Sequence, residues 1–253
     1  MTHRFLVDSI RSVQFPMKSG NFLIRFRWPS ITFSIVAINA VIAFITLAFP
    51  SAFNYLYSEM PLTTNALADG QWWRFITYMF IHAPAYGVGI LHILFNMITL
   101  AIFGKGIEYA FGKLQFLIFY ILSGVVAGLT LFFELWLRGK FSHAYPQQEP
   151  MLIMGASGAI MAIIGAYALL KPHMRIYILF IPYPLKIRTA LIGFLILSFI
   201  LLFLPWLSFI GHSAHIGGAL FGLAWTWMWR MWRLRVERAS SPFSRLFAAL
   251  SRK

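Results

Sequence analysis

The sequence predicts an all-α membrane protein: a bundle of six transmembrane helices with an interfacial loop after the first helix. Of its residues, 60% are hydrophobic and only 11% are charged, and the mean hydropathy is +0.74. Soluble domains contain about 25% charged residues, so a chain of this composition is expected to bury its apolar surface in lipid. The spacing of the apolar runs and the distribution of lysine and arginine then set the number and direction of the helices.

Six apolar runs are long enough to be transmembrane helices, which need about 20 residues to cross about 30 Å of hydrocarbon. They lie at 30–49, 87–104, 114–136, 152–170, 188–205 and 211–229. The first run has no convincing small-residue cleavage site after it, so we expect a retained helix. The proline-interrupted segment 176–190 is expected to form a cytoplasmic interfacial loop before the fifth helix.

Lysine and arginine are divided unequally between the two sides of the predicted bundle. Eighteen lie in the termini and the connections of one side, whereas the other side holds only Arg74, Arg138 and Lys140. The positive-inside rule places the richer side, with both termini, in the cytoplasm. We therefore expect a multi-pass protein of the inner (plasma) membrane, in which helices two, four and six enter from the outer face.

Three segments follow from this topology: a short basic cytoplasmic segment at 1–28, the six-helix membrane domain at 29–232 and a basic cytoplasmic tail at 233–253. The net charge of +14 favours contact with anionic lipid headgroups, and we expect no nucleic-acid partner because no basic fold of the usual nucleic-acid-binding types is recognisable. The external connection 50–86 contains GQWWRFITYMFIH, whose tryptophan and tyrosine favour the headgroup layer.

Polar residues occur at matching depth in the three inward-running helices. They are His92 and Asn96 in the second helix, Ser157 in the fourth and His215 in the sixth. Polar side chains at membrane depth are costly and indicate a functional site. Taken singly, each has a structural alternative, because serine can back-bond to the preceding turn and a buried histidine is commonly a packing residue. Because these residues lie at the same depth and near the same face of the membrane, a shared catalytic site is favoured over separate structural roles.

Ser157 and His215 have the residue types of a nucleophile and its general base. Gly218 and Gly222 follow His215 by three and seven residues, so the face that bears the imidazole is shaped for close approach to another helix. If that helix is the fourth, the imidazole takes the Ser157 proton as the hydroxyl attacks a carbonyl. The chain has no cysteine, and no acidic residue is expected at this depth, so the predicted site is a dyad.

The groups around the serine are predicted to form an oxyanion hole. His92 and Asn96 are four residues apart on one helical face and supply two donors. Gly155 and Gly158 are expected to clear space at a helix N-terminus, where the Ser157 N–H is a third donor. We expect neither a metal nor a cofactor, although a zinc site that pairs His82 with the histidines of the second and sixth helices is the alternative.

Together these motifs resemble the rhomboid family of intramembrane serine proteases, in its compact six-span bacterial type. The matching elements are HxxxN, GASGA, AHxxGxxxG, and WR followed by FxxH in the external loop. The resemblance covers about residues 28 to 232 and implies hydrolysis of peptide bonds within or near the membrane. It implies Ser157 as nucleophile, His215 as base, and His92, Asn96 and the Ser157 N–H as the oxyanion hole.

The resemblance also implies supporting roles. Trp73 and Arg74 match a motif that shapes the external loop, and Glu108 resembles an acid that ties the cytoplasmic side together. The two glycines of the sixth helix match those that let the histidine helix approach. One departure is Met161, four residues after the serine, where the family often has an aromatic residue stacked on the imidazole. A polarisable thioether can still hold the ring, so we expect altered activity more than loss.

The implied substrates are single-span membrane proteins that present an extended stretch near the outer face, since a peptide bond within an intact helix is hidden from a nucleophile. Trp206 and Phe209, before the sixth helix, are either part of a lateral gate or interfacial anchors. A rival of another class is a non-catalytic membrane-protein binder of the same fold. A channel or proton-coupled transporter would need polar residues in the cytoplasmic halves of these helices, which are almost entirely apolar.

Overall fold

A computed structural model gives the fold and describes residues 30–63, 65–66, 69–83, 89–141, 152–178, 181–203 and 211–240. The helices of this described part are α1 (Ile31–Ala48), α2 (Pro50–Glu59), α3 (Arg74–Thr77), α4 (Gly89–Phe111), α5 (Lys113–Phe141), α6 (Ser157–Leu170), α7 (Ile187–Leu201) and α8 (His212–Ser240). A short antiparallel pair, β1 (Arg175–Ile176) and β2 (Leu185–Lys186), lies between α6 and α7. The fold is a mainly helical bundle.

The helices have the composition of a multi-pass membrane protein. Helices α1, α4 and α5 are long and apolar enough to cross a membrane, whereas the apolar α6 and α7 have only 14 and 15 residues. Large apolar side chains face outward, including Phe44 and Leu47 on α1 and Phe199 on α7, which are 64%, 68% and 58% exposed. An apolar exterior of this extent is suited to lipid contact.

The six long helices follow the six predicted runs but differ from them at several ends. Helices α4 and α5 continue beyond the predicted ends at 104 and 136, and α7 ends before 205. Helix α6 begins at Ser157, five residues after the predicted start at 152, because Ile153 is paired in an isolated β-bridge and Gly155 adopts a positive φ. Helix α8 is continuous for 29 residues and extends through Ser240 into the segment predicted as a tail. The terminal segments 1–29 and 241–253 lie outside the described residues.

Helix α6 occupies the centre of the bundle and packs most closely on α8. Nine of its 14 residues are buried. A Cβ atom placed on Gly218 would lie 2.0 Å from the Gly158 carbonyl oxygen, and one on Gly222 would lie 2.0 Å from the Ala162 carbonyl oxygen. Side chains do not tolerate such distances, so the two glycines permit direct backbone contact between the helices, as expected for a GxxxG pair.

Two side chains near the start of α3 donate hydrogen bonds to carbonyl groups at the end of α2 and just after it. The buried guanidinium group of Arg74 donates to the carbonyl oxygens of Ser58 and Pro61 at 2.7 and 2.8 Å. The indole N–H of Trp73 donates to the carbonyl oxygen of Glu59 at 3.3 Å. The planar guanidinium group can satisfy several acceptors at once, so Arg74 fixes the turn that leads into α3.

The carboxylate of Glu108 on α4 caps the N-terminus of α1. It accepts hydrogen bonds from the backbone N–H groups of Ile31 and Thr32 at 3.2 and 3.1 Å, and from the hydroxyl groups of Ser30 and Thr32. The first N–H groups of a helix lack intrahelical acceptors and favour negative charge. Glu108 therefore joins α4 to α1 at one end of the bundle.

Candidate active site

Ser157 is the first residue of α6, and the chain reaches it through a short extended segment. Ile153 pairs with Leu62 in an isolated antiparallel bridge whose two N–O distances are 2.8 and 3.0 Å. Gly155 then adopts a φ of +114°, a backbone conformation that residues with a Cβ rarely adopt. The bridge and the glycine turn together replace the first helical turn that the apolar run predicts, and they direct the chain into α6 at the serine.

The two peptide groups before the serine are held by the segment that precedes α4. The Gly155 N–H donates to the Tyr78 carbonyl oxygen at 2.9 Å, and the Ala156 N–H donates to His82 Nε2 at 3.4 Å. The next N–H, that of Ser157, belongs to the first residue of the helix and has no intrahelical acceptor. This arrangement leaves the Ser157 N–H to an acceptor from outside the helix.

Ser157 and His215 lie within hydrogen-bond distance of one another. The distance from His215 Nε2 to Ser157 Oγ is 2.8 Å. Nδ1 of His215 is buried and has no hydrogen-bond partner among the described residues. The imidazole can therefore accept the serine proton at Nε2, and within the described part of the chain no carboxylate is bonded to the ring.

An aromatic ring from α7 lies beside this imidazole. The ring centroids of Phe194 and His215 are 5.7 Å apart, with planes inclined at 49°. Met161, at the position where the family often has an aromatic residue, packs beside a small cluster formed by Ala168, Leu191 and Ala219. Sequence reasoning missed Phe194, because it lies on a different helix and its apolar surroundings in the chain give no signal of a site.

His92 and Asn96 lie on α4 beside the turn that precedes the serine. A Cβ atom on Gly155 would lie 2.8 Å from Cε1 and 3.0 Å from Nε2 of His92, so this glycine makes room for the imidazole. Asn96, one turn further along α4, is 7% exposed, and its Nδ2 has no hydrogen-bond acceptor within the described ranges. A buried amide donor without an acceptor is unfavourable unless a ligand or water supplies one.

Gly158, which follows the serine, packs against two neighbouring helices. A Cβ atom on Gly158 would lie 2.5 Å from the Cβ of Ala127 on α5 and 3.6 Å from the carbonyl oxygen of Ala214 on α8. Space at 158 is therefore occupied by neighbouring helices, whereas the sequence had indicated space for a substrate carbonyl. Its role in the structure is to bring three helices together at the start of α6.

His82 is a further residue of this region, and its ring lies edge-on to that of His92 at a centroid distance of 5.2 Å. Burial and, secondarily, the neighbouring His92 lower the pKa of His82 to about 3, so its ring is neutral near pH 7. In the part of the chain that the structure describes, no three histidine or acidic side chains are grouped to hold a metal ion. The zinc alternative therefore gains no support from this geometry.

The segment 204–210, which contains the predicted gate or anchor residues Trp206 and Phe209, lies outside the described residues. The other residues predicted for the site are all described. Ser157, His215, His92 and the Gly155 turn are brought together, and Asn96 lies on the same helix as His92. Trp73, Arg74 and Glu108 lie away from the serine and stabilise the surrounding segments.

Comparison with known proteins gives a consistent result over most of this region. A sequence model of the Rhomboid domain matches residues 69–232. The chain is 27% identical over 211 residues to Rhomboid protease AarA of Providencia stuartii, covering 76% of this chain and 70% of AarA. It is 28% identical over 214 residues to YdcA of Bacillus subtilis, covering 82% and 90% of the two chains. It is also 30% identical over 135 residues to the human mitochondrial presenilin-associated rhomboid-like protein, covering 53% of this chain and 33% of that protein.

Proposed function

This chain belongs to the rhomboid family, and we propose that it is an intramembrane serine endopeptidase that cleaves transmembrane proteins near the outer face of the membrane. The observation that carries the proposal is the 2.8 Å distance between Ser157 Oγ and His215 Nε2. A relative named as a rhomboid protease, AarA, adds support at 27% identity. No cofactor is required, since a serine and a histidine suffice for acyl transfer.

In the proposed reaction, His215 Nε2 takes the proton from Ser157 Oγ as that oxygen attacks the substrate carbonyl carbon. The carbonyl oxygen becomes an oxyanion, which accepts hydrogen bonds from the Ser157 N–H, His92 and Asn96 Nδ2. Collapse of this intermediate breaks the peptide bond, and His215 gives its proton to the leaving amine. A water molecule then attacks the acyl-serine, with His215 again acting as base, and releases the carboxylic acid.

The short length of α6 supports a reaction below the membrane surface. Fourteen residues at 1.5 Å each span about 21 Å, which is about 9 Å less than the hydrocarbon thickness. Because the exposed Lys171 follows the last residue of α6 and favours the cytoplasmic headgroups, the shortfall lies at the Ser157 end. The serine therefore lies about 10 Å below the outer surface. Backbone groups at a helix end at that depth need a wet cavity to satisfy their hydrogen bonds.

The proposed topology has six spans: α1, α4, α5, α6, α7 and α8. Both termini lie in the cytoplasm of the inner (plasma) membrane, because 18 of the 21 lysine and arginine residues are then cytoplasmic. The basic side contacts anionic headgroups. The substrates are single-span proteins that unwind locally near the outer face, since helical hydrogen bonding otherwise hides the peptide bond.

Cleavage of a fluorescent single-span reporter in proteoliposomes tests the proposal. Wild type, Ser157→Ala and His215→Ala are compared with Ser123→Ala, a control that removes a serine hydroxyl elsewhere in the bundle. Ser123 is buried and donates to the Phe119 carbonyl oxygen. We expect wild type and the control to cut the reporter near the outer end of its span, and both site variants to lose activity. Wild-type rates in either site variant would contradict the proposal. An intact reporter that copurifies with wild type would favour the non-catalytic binder.

A further inference from the structure

A small cavity lies behind the candidate active site, between α1, α2, the segment before α4 and α4 itself. Its volume is about 10 Å³, which is about the space that one water molecule requires. Asn39 of α1 and His82 are among the lining residues, whereas Ser157 and His215 are not. The cavity is therefore separate from the reacting groups, although His82 contacts the backbone beside the serine.

Four polar side chains line this cavity. The hydroxyl groups of Thr46 and Tyr57 donate to the carbonyl oxygens of Ala43 and His82, whereas Asn39 and His82 each have one unsatisfied atom. Asn39 is fully buried, and its Nδ2 donates to the Ile35 carbonyl oxygen at 2.9 Å. This bond identifies the other amide atom, Oδ1, as an acceptor, and Oδ1 has no hydrogen-bond partner among the described residues. His82 is 5% exposed, and its Nδ1 likewise lacks a partner in the described part of the chain.

The existing hydrogen bond at His82 Nε2 determines the protonation of Nδ1, and thereby whether Nδ1 needs a donor or an acceptor. Nε2 receives the Ala156 N–H, so Nε2 must carry no proton, and a neutral imidazole then carries its proton on Nδ1. The cavity consequently has an unpaired donor from His82 and an unpaired acceptor from Asn39. One water molecule has both a lone pair and a proton to offer, so it can satisfy the two atoms together.

We propose that a single water molecule occupies this cavity, accepts the His82 Nδ1–H and donates to Asn39 Oδ1. This bridge holds His82 in the tautomer whose Nε2 receives the Ala156 N–H, because the opposite tautomer would direct two N–H groups at each other. The peptide group after Ala156 carries the Ser157 N–H, so the bridge fixes an oxyanion donor. Asn39 is thus a positioning residue that acts from α1 through His82.

The tautomer can be measured without turnover. In the full-length protein with ¹⁵N-labelled histidine, the His82 signals are assigned by their loss in His82→Gln. We expect wild type to show a protonated Nδ1 and an unprotonated Nε2, and Asn39→Leu to show a mixture of tautomers. A proton on Nε2 in wild type, or an identical spectrum in Asn39→Leu, would overturn the proposal. Because no substrate is present, this outcome is independent of whether the chain is a protease.

The catalytic consequence rests on the proposed function and is measured with the reporter substrate. We expect Asn39→Leu to lower kcat by about three- to tenfold with KM unchanged, and to cause no further loss in a His82→Phe background. Thr226→Val is the matched control, since it also removes a buried polar atom, here a hydroxyl oxygen, that lacks a partner among the described residues, but Thr226 does not line the cavity. Losses that multiply in the double variant, or an equal loss in Thr226→Val, would refute the coupling.

The water itself is tested by filling its space. Ala43 lines the cavity, and Ala43→Val adds two methyl groups there without changing Asn39 or His82. We expect this variant to reproduce both the kcat loss and the mixed tautomers of Asn39→Leu. A wild-type spectrum in Ala43→Val would show that no water is needed between the two side chains. If wild type fails to cleave the reporter, the proposed function fails, while the spectra still decide the bridge.

Discussion

Gly218 of α8 is in backbone contact with Gly158 of α6, since a Cβ atom on Gly218 would lie 2.0 Å from the Gly158 carbonyl oxygen. His215 is one turn before Gly218, and Ser157 is adjacent to Gly158. The same contact between helices therefore sets the separation of the two candidate reacting side chains, which is 2.8 Å between Oγ and Nε2. Helix packing, more than side-chain freedom, determines whether the dyad can form.

Gly218→Ala should separate α6 from α8 and disrupt the dyad. The added methyl group meets backbone, which cannot rotate away, so we expect a loss of about 1–3 kcal/mol in stability and at least about tenfold in kcat/KM. Gly193→Ala is the control, because no atom lies within 4 Å of a Cβ at that position on α7. Thermal unfolding and reporter cleavage measure both effects. Equal behaviour of the two variants would contradict this account of the contact.

Phe194→Ala should reduce turnover without weakening substrate binding. Phe194 lies beside the His215 ring at a centroid distance of 5.7 Å, and its removal lets the imidazole leave the orientation needed to accept the serine proton. We expect kcat to fall about three- to tenfold with little change in KM, and Phe194→Tyr to retain most activity. The control is Phe199→Ala, an exposed ring on the same helix. An unchanged kcat in Phe194→Ala would contradict the proposal that Phe194 positions the His215 ring.

His82 should make stability sensitive to acid. Its pKa is about 3 in the folded protein and 6.5 in the unfolded reference, so the unfolded chain binds more protons between these values. Stability therefore falls as the pH is lowered through this window, by up to about 1.4 kcal/mol per pH unit. We expect the unfolding temperature of wild type to drop more between pH 7 and 5 than that of His82→Gln, which retains the facing His92. Equal decreases in the unfolding temperature of the two proteins would show that His82 does not contribute to the acid sensitivity.

Glu108→Ala should destabilise the junction between α4 and α1. The substitution leaves the N–H groups of Ile31 and Thr32 without the carboxylate that accepts them. We expect a loss of about 2–4 kcal/mol, seen as an unfolding temperature lower by about 5–10 °C. Glu59→Gln serves as the comparison, because Glu59 is 43% exposed and 3.8 Å from Arg74 and should cost under about 1 kcal/mol. An unchanged unfolding temperature in Glu108→Ala would contradict the capping role.

Several parts of the fold and site follow from local sequence patterns. Helical spacing places His215 on the face of Gly218, and the glycine pair indicates a close neighbour. The sequence leaves the identity of that neighbour open, whereas the structure shows that it is α6, which bears Ser157. Apolar runs long enough to span a membrane likewise predict the positions of the long helices, because helix length must match the bilayer.

Other features depend on contacts between distant segments and leave no periodic signal. The late start of α6 at Ser157 follows from the pairing of Ile153 with Leu62, which lies in a loop far away in the chain. The cavity residue Asn39 is one polar side chain in an apolar run and reads as a buried packing residue until its relation to His82 is seen. Such contacts need the tertiary structure.

The central claim, that His215 activates Ser157, is tested most directly by labelling the detergent-solubilised full chain with a fluorescent fluorophosphonate. This reagent forms a covalent bond with an activated serine and needs no knowledge of the substrate. We expect labelling of wild type and of Ser123→Ala, and none of Ser157→Ala or His215→Ala. Undiminished labelling of His215→Ala, or no labelling of folded wild type that also leaves the reporter intact, would contradict it.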